Sequence, residues 1–384
     1  MWRASQWPGS SEVVVPVKNS SYIQVPDYAT SVRLRGSSAE SGPISLPSSP
    51  GASATVELRA EKNPPNGFLY ALGIHTPDIF TLTEDLSRPG LSRVKHLVVV
   101  MMEGRSFDHM LGGLRASNPY IDGLTGNETN PDTTGALTKV EPKAAYQELL
   151  PVNVNFPAVN LQLFNGAQGS PRLANMQGFI LSSFSNRHSV DISRKVMYYF
   201  APSMLPVLAN LAQNYAICDH WFSSVPGPTF PNRAFVHEAT SNGVVDNSLL
   251  AVLGPKTIYE LLAEQGVTSK IYFYDQHSSN VDAGFLKKQP QFFATYDQFV
   301  ADSEAGSLPA YSFVEPNFVD HHTDRGSEVA SDEHVGRDVL AGEAFIAGVY
   351  QAIKSNPALW ERSSWLLFTR NMAGCTNTCR LHPR

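Results

Sequence analysis

Hydrophobic and polar positions follow two different patterns along this chain, and the change comes near residue 94. The first ninety residues carry short apolar or alternating runs between Gly-, Ser- and Pro-rich stretches, a pattern typical of small antiparallel β units. The predicted strands are Val13–Val17, Tyr22–Val25, Ser31–Arg35, Thr55–Ala60 and Phe68–Ile74. We therefore expect residues 1–90 to form a small β-rich unit, with an unstructured extension as the alternative.

From Val94 onward, short apolar runs alternate with helical spacing. His96–Met102 is a continuous apolar run, as expected for a strand that is buried on both faces. The pattern then predicts helices at Met204–Asn214 (with Ser203 as N-cap), Thr257–Gln265 and Ala341–Ile353, and strands at Ile271–Tyr274, Ala310–Val314 and Trp365–Phe368. Such alternation predicts an α/β fold in which helices cover both faces of a parallel or mixed sheet.

The amino-acid composition of the chain excludes some classes of protein. The hydrophobic fraction of 42% and the charged fraction of 17% are those of a globular chain with a large core. A net charge of −6 argues against a nucleic-acid partner, because phosphate backbones attract a basic surface. Three cysteines cannot form a disulfide framework.

No stretch of the sequence is apolar for long enough to predict a transmembrane segment. No signal peptide is visible either, because no apolar run follows the first residues. The default expectation from these two observations is a cytoplasmic protein, and the sequence leaves the location open.

Ligands of open α/β sheets gather at the carboxyl ends of the strands, so the residues that follow each apolar run are the first candidates for chemistry. Glu103 follows the first strand, where it is placed either to bind a metal or to cap a helix that begins near Ser106. Thr229 follows a Pro-Gly-Pro turn and precedes Pro231, which suits the first turn of a helix. Its hydroxyl is either a nucleophile beside an anion site or a plain helix cap.

Two further residues extend the Thr229 region. Asn232 is a candidate donor to the oxygens of a phosphoryl group, and Arg233 is a candidate for adding positive charge there.

A third group of polar residues lies between residues 315 and 334. It contains Glu315 and Asn317, then the Asp320-His321-His322 run, and then Asp332 and His334. Six of the eleven histidines fall between His220 and His334, and their concentration beside carboxylates is typical of a metal or phosphate site. No Gly-x-Ser-x-Gly elbow and no phosphate-binding glycine loop appears in the sequence.

Taken together, these clusters resemble the phosphoesterase family of bacterial phospholipases C, acid phosphatases and plant non-specific phospholipases C. Four segments carry the resemblance, in the order and spacing of the family: HLVVVMMEGRSFDHMLGGL, CDHWFSSVPGPTFPNRAF, SFVEPNF and SDEHVGRDVLAGE. The resemblance covers roughly residues 94–368. It implies an alkaline-phosphatase-like α/β/α sandwich that hydrolyses phosphoric esters, phospholipids among them, with a divalent metal and a phosphothreonyl intermediate. Members of the family are often exported.

Residue by residue, the resemblance assigns Thr229 as the nucleophile and Glu103 as a metal ligand. It places Asn232 and His334 among the catalytic residues. The positions that match substrate-binding residues, or that lie beside them, are Arg233, His277, Glu315, Asn317 and Asp332.

The sequence also departs from the family pattern. Gly104 stands where the family has a metal-ligating asparagine, and Val154 stands where relatives have a phosphate-binding histidine. After the strand at Trp365–Phe368 the family has an Asp-Glu-His-Gly-Gly segment that completes the metal site, whereas this chain has an unrelated tail over residues 369–384. Reading that tail in a shifted frame permits Glu-His-Gly-Gly, and we interpret the tail as the product of a frameshift. This interpretation makes the catalytic domain incomplete at its C-terminus.

Two hypotheses follow from the sequence. The first is a metal-dependent hydrolase of phosphoric esters, and the second is a catalytically inactive remnant or binding protein of the same fold.

Overall fold

The computed structural model describes residues 93–148, 153–167, 173–247, 256–275, 289–323 and 326–369, except for a few side chains, and before residue 93 it describes the backbone of seven strands. Residues 370–384 and His277 lie outside this description. The chain divides into two compact units, Met1–Val94 and Lys95–Arg384.

The first unit is antiparallel. Its strands are β1 (Trp2–Arg3), β2 (Ser10–Val15), β3 (Ser20–Val25), β4 (Ala29–Arg35), β5 (Ile44–Ser45), β6 (Ala54–Arg59) and β7 (Asp78–Glu84). One sheet has the order β1-β2-β7-β4-β5, and β3 pairs with β6. Four strands overlap the positions expected from the sequence, and the expected strand at Phe68–Ile74 falls outside the described residues. The strands β1, β5 and β7 were not predicted.

The second unit is built on a parallel sheet. Its strands are β8 (His96–Met102), β9 (Thr129–Pro131), β10 (Leu137–Lys139), β11 (Ser269–Phe273), β12 (Phe293–Thr295), β13 (Tyr311–Val314), β14 (His321–Thr323), β15 (Gly326–Glu328) and β16 (Ser363–Thr369). Five of them form the central sheet in the order β12-β11-β13-β8-β16, and every pairing within it is parallel. The remaining four form two short hairpins, β9–β10 and β14–β15.

Helices connect the strands of the second unit. They are α1 (Phe107–Met110), α2 (Phe156–Phe164), α3 (Phe179–Arg187), α4 (Val190–Arg194), α5 (Pro206–Asn214), α6 (Thr229–Glu238), α7 (Ile258–Glu264), α8 (Tyr296–Glu304), α9 (Val339–Ser355) and α10 (Pro357–Trp360). Among the residues with described positions, no helix is both long and apolar enough to cross a bilayer.

The alternation of side chains along β8 explains the layers. Val98, Val100 and Met102 point to one face, where they pack in a core that includes residues of α5, α8 and α9. Val99 and Met101 point to the other face, where they pack with residues of α6 and α7. A strand that is apolar at every position therefore lies between two helical layers. This arrangement confirms the predicted α/β/α sandwich.

One predicted helix boundary is wrong. Ser203 does not cap the helix over residues 204–214; instead α5 begins at Pro206, after a separate 3₁₀ turn at Pro202–Met204. The first N–H groups of α5 are satisfied by a distant residue, because the carboxylate of Glu343 accepts from Val207 N (2.6 Å) and Leu208 N (2.9 Å). A cap that comes from another helix leaves no local signal in the sequence.

Two buried histidines remain neutral in this fold. The Nδ1–H of His109 donates to Tyr198 O (2.9 Å), and Arg105 donates to His109 Nε2 (3.1 Å). Burial, with the nearby charge of Arg105, lowers the pKa of His109 to about 3. Burial and the charge of Arg233 likewise lower the pKa of His237 to about 3.

We expect the two buried histidines to lower the free energy of unfolding as the pH drops below 6.5. Below that pH the unfolded chain protonates both histidines while the folded chain does not, so stability is lost until the pH reaches the folded pKa of about 3. Each histidine contributes a slope of up to about 1.4 kcal/mol per pH unit in this window. Urea unfolding at a series of pH values measures the slope.

The His237→Asn variant should show about half of the slope that the histidines contribute. His188→Asn, a change at an exposed residue at the end of α3, is the matched control and should keep all of it. A His237→Asn variant whose unfolding free energy keeps the wild-type dependence on pH between 6.5 and 5 would contradict the account.

Candidate active site

Three connections meet at the carboxyl edge of the central sheet. Glu103 follows β8, Glu315 follows β13, and Thr229 is the first residue of α6. The Oγ1 of Thr229 donates to Glu103 Oε2 at 3.2 Å. The N-cap of α6 is Pro228, and no side chain caps this helix. The alternative that Thr229 is a plain N-cap is therefore wrong.

Arg233 lies one helical turn after Thr229 and joins the two glutamates. Its Nε and Nη2 donate to Glu103 Oε1 at 3.0 and 2.8 Å, and its Nη1 donates to Glu315 Oε1 at 2.8 Å. All three side chains are almost completely buried. Burial opposes the charge of Arg233, but the carboxylates of Glu103 and Glu315 outweigh it and raise the pKa of the guanidinium above its ordinary value.

The second interpretation of Glu103, as a helix cap, is also wrong. The short helix α1 is capped by Ser106, whose hydroxyl accepts from His109 N. Glu103 instead directs one carboxylate oxygen to Arg233 and the other to Thr229.

The amide of Asn232 holds the loop that precedes α6. Its Oδ1 accepts from Val225 N (2.9 Å), and its Nδ2 donates to Val225 O (3.0 Å) and Pro228 O (2.9 Å). These contacts fix the Pro-Gly-Pro turn and hence the position of Thr229. The predicted donation from Asn232 to a phosphoryl group stays a prediction.

Asp332 and His334 reach the same edge of the sheet on the turn before α9. The backbone N–H of Glu103 donates to Asp332 O at 2.7 Å, which joins this turn to the end of β8. Burial, together with the nearby negative charge of Glu103, raises the pKa of Asp332 to about 7. His334 is exposed, and its backbone N–H donates to Asp332 Oδ1 at 3.3 Å.

Asn317 is buried two residues after Glu315, and its amide is bound within its own loop. Its Nδ2 donates to Val329 O (3.0 Å), and its Oδ1 accepts from Val319 N (3.3 Å). The carboxylate of Asp275 anchors the same loop through Phe318 N, Val319 N and His321 Nε2. The structure thus brings together every predicted site residue except His277, which lies outside the described residues.

The sequence interpretation assigned no role to Glu333, the residue between Asp332 and His334. Glu333 has a positive φ of 65°, is fully buried, and neither of its carboxylate oxygens has a hydrogen-bond partner among the described residues. Burial raises the pKa of its carboxyl group to about 8. The backbone carbonyl of Glu333 accepts from Arg105 Nε at 2.8 Å, so a buried arginine supports this strained turn.

Gly342 in α9 makes room for the Glu333 side chain. A Cβ atom at position 342 would lie 2.3 Å from Glu333 Cγ, which is far inside van der Waals contact. The family segments contain both residues, but only the fold shows that they touch.

The described residues do not supply a complete donor set for a metal. Across the ranges that the structure describes, no group of three or more His, Cys, Asp or Glu side chains is arranged to hold an ion. Glu103 is bound by Arg233 and Thr229, and Gly104 offers no side-chain oxygen. The metal implied by the resemblance stays a prediction.

Replacing Gly342 by alanine should destabilise the protein by about 1–3 kcal/mol, because the added methyl group collides with a buried side chain that has no room to move. Denaturant unfolding measures this loss. Gly348→Ala in the same helix is the matched control, since its Cβ would meet only the hydroxyl of Tyr296 at 3.0 Å. Equal stabilities of the two variants would contradict the predicted collision.

Replacing Arg233 by methionine should cost about 3–5 kcal/mol of unfolding free energy, because two buried carboxylates lose their counter-charge. The control is Arg115→Met, which removes a half-exposed partner of Asp122 and should cost about 1 kcal/mol or less. A loss of stability at Arg233 no larger than at Arg115 would show that the pairing of Arg233 with Glu103 and Glu315 does not stabilise the fold.

Comparison with known proteins identifies the family of this chain. The Phosphoesterase family matches residues 94–368. The chain is 36% identical over 290 residues to non-specific phospholipase C1 of Arabidopsis thaliana, which covers 71% of this chain and 51% of that protein. It is 35% identical to non-specific phospholipase C6 of the same plant, in a match that covers 69% of this chain and 51% of that protein. It is 28% identical to the non-hemolytic phospholipase C of Burkholderia pseudomallei, in a match that covers 71% of this chain and 43% of that protein.

The chain thus spans about half the length of the curated relatives that it matches. The match with the family covers all the segments that meet at the carboxyl edge of the sheet. The arrangement of Glu103, Thr229 and Arg233 is therefore found in a chain that belongs to the Phosphoesterase family.

Proposed function

We propose that this chain hydrolyses phosphoric esters, with Thr229 as the nucleophile. The observation that carries the proposal is the hydrogen bond of 3.2 Å from the Thr229 hydroxyl to the Glu103 carboxylate. A carboxylate in this position can accept the proton that the hydroxyl must lose when it attacks phosphorus.

In the first half of the reaction, Thr229 Oγ1 forms a bond to phosphorus while the bond between phosphorus and the leaving oxygen breaks. The hydroxyl proton passes to Glu103, and the leaving alkoxide takes a proton from His334 or from water. The result is a phosphothreonyl enzyme and a free alcohol. In the second half, a water oxygen bonds to phosphorus while the bond between phosphorus and Thr229 Oγ1 breaks, which releases phosphate or a phosphomonoester. Glu103 returns its proton to Thr229, and the water proton passes to the group that protonated the leaving alkoxide.

Two features favour the anion that forms at Thr229. The residue is the first of the ten in α6, where the helix dipole stabilises negative charge. The helix contributes mainly the field of its dipole and not hydrogen bonds from its first N–H groups. Phe230 N already donates to Asn247 Oδ1 (3.0 Å), and Pro231 has no N–H. Arg233 adds a buried positive charge, although Glu103 and Glu315 share it.

The substrate that we propose is a phospholipid. The relatives that the chain matches are called phospholipases C, and this substrate class comes from their names. A small phosphomonoester, the substrate of acid phosphatases, is the alternative within the same chemistry.

A catalytically inactive member of the fold is the second candidate. Two observations favour it. Both carboxylate oxygens of Glu103 already accept hydrogen bonds, one from Arg233 and one from Thr229, and the neighbouring residue 104 is a glycine. A binding protein that keeps the phosphate site without turnover would have this arrangement.

Hydrolysis of phosphatidylcholine and of an aryl phosphate, each with added divalent metal, separates these candidates. We expect Thr229→Ala and the isosteric Thr229→Val to lower kcat by a factor of about 10³ or more, because no nucleophile remains. Thr229→Ser, which keeps the hydroxyl, should retain turnover. Equal background turnover in all four proteins would favour the inactive remnant.

A further inference from the structure

The amide and guanidinium donors that the sequence offers to a phosphoryl group are already engaged in this fold. The amide of Asn232 bonds the backbone of residues 225–228, and the amide of Asn317 bonds its own loop. The three nitrogens of the Arg233 guanidinium all donate to buried carboxylates. A phosphoryl group at Thr229 gathers negative charge on its free oxygens, so the site needs a donor from another part of the chain.

A further amide lies beside the nucleophile. The side chain of Asn247 reaches the first turn of α6, where its Oδ1 accepts from Phe230 N at 3.0 Å. Phe230 follows Thr229 directly, so this hydrogen bond holds the Asn247 amide next to the residue that carries the nucleophilic hydroxyl. Asn247 is exposed, and a substrate from solvent can therefore reach it.

The hydrogen bond to Phe230 determines which end of the Asn247 amide is available. A backbone N–H and an amide NH₂ group are both donors, so the oxygen of Asn247 must face Phe230. The Nδ2 group is therefore directed away from the Phe230 N–H, and no residue that the structure describes accepts a hydrogen bond from it. Its N–H groups remain for an acceptor such as a phosphoryl oxygen.

The segment that carries Asn247 packs on the turn that precedes the nucleophile. A Cβ atom at Gly227, in the Pro-Gly-Pro turn, would lie 3.2 Å from Val245 O, so the two backbones are close together. A hydrogen bond of 2.9 Å from Val244 N to Ser241 O closes the turn at the start of this segment. The backbone before Asn247 is thus supported by the same turn that positions the nucleophile.

We propose that Asn247 is a substrate-binding residue, whose Nδ2 donates to a free phosphoryl oxygen of the ester that Thr229 attacks. This inference rests on the proposed function, because it takes the phosphoryl group to be bound at Thr229. Asn247 thereby supplies the neutral donor that the sequence predicts at Asn232. A phospholipid and a small phosphoric ester both present such an oxygen, so the contact serves either substrate.

Binding of inorganic phosphate, measured by isothermal titration calorimetry, tests this contact without turnover. Asn247→Ala should raise the dissociation constant about tenfold or more, because a hydrogen-bond donor to a charged oxygen is lost. Asn214→Ala, at an exposed asparagine at the end of α5, is the matched control and should bind phosphate as the unchanged chain does.

Three results would overturn the proposal. The first is a dissociation constant that is the same in Asn247→Ala and the unchanged chain. The second is tighter binding in Asn247→Ala, because the side chain would then compete with phosphate for Phe230 N. The third is an unchanged chain that binds no phosphate.

A pair of aspartate variants separates the loss of the donor from the effect of charge. Asn247→Asp keeps an oxygen for Phe230 N but replaces Nδ2 by an anionic oxygen, so it should weaken phosphate binding more than Asn247→Ala does. Val245→Asp, at an exposed position of the same segment, adds the same charge without removing a donor and should have the smaller effect. Equal effects of the two aspartates would contradict a direct contact.

Turnover distinguishes a failure of this inference from a failure of the proposed function. In a chain that hydrolyses phosphatidylcholine or an aryl phosphate, Asn247→Ala should lower kcat/KM about tenfold or more for each ester, and Asn214→Ala should not. An unchanged kcat/KM in Asn247→Ala refutes the inference and leaves the hydrolase standing. Phosphate binding that depends on Asn247 in a chain without turnover refutes the hydrolase and supports the phosphoryl contact.

Discussion

The buried pairing of Arg233 with Glu103 and Glu315 is the interaction on which the rest of the site depends. Two carboxylates at the ends of neighbouring strands can be buried this close together only because one guanidinium lies between them. The fork of Arg233 fixes one oxygen of Glu103, and the other oxygen is thereby directed to the Thr229 hydroxyl. Burial, together with the charge of the same carboxylate, raises the pKa of Asp332, so Glu103 also influences the next loop.

The turn that carries Asp332 and His334 is held from two sides. Arg105 binds the carbonyl of Glu333, and Gly342 provides the space for its side chain. The next residue of α9, Glu343, caps α5 through two backbone N–H groups. The first turns of one helix therefore support both the candidate site and a neighbouring helix, and a positive φ at a buried glutamate is the cost of this arrangement.

The sequence allows the location of this site to be predicted but not the hydrogen bonds between its side chains. Glu103 could be identified because it follows a strand of a parallel sheet, and Thr229 because the Pro-Gly-Pro turn and Pro231 predict the start of a helix there. The partners of Arg233 could not, because the choice among nearby carboxylates depends on side-chain geometry between segments that are 130 and 82 residues apart. Asn232 shows the same limit: its residue type fits a phosphoryl donor, whereas in the fold its amide binds the loop before α6.

The α/β/α layers were predictable because apolar runs and helical spacing are local signals. The start of α5 was not, because Glu343 supplies its cap from another helix.

The covalent intermediate on Thr229 provides the most direct test of the central claim. The measurement is rapid acid quenching of the protein during turnover of a phosphoric ester, followed by mass spectrometry of the peptide that contains Thr229. The account predicts a phosphoryl group on Thr229 that appears before steady state and is absent from Thr229→Val. Turnover without a labelled peptide, or a label on another residue, would contradict it.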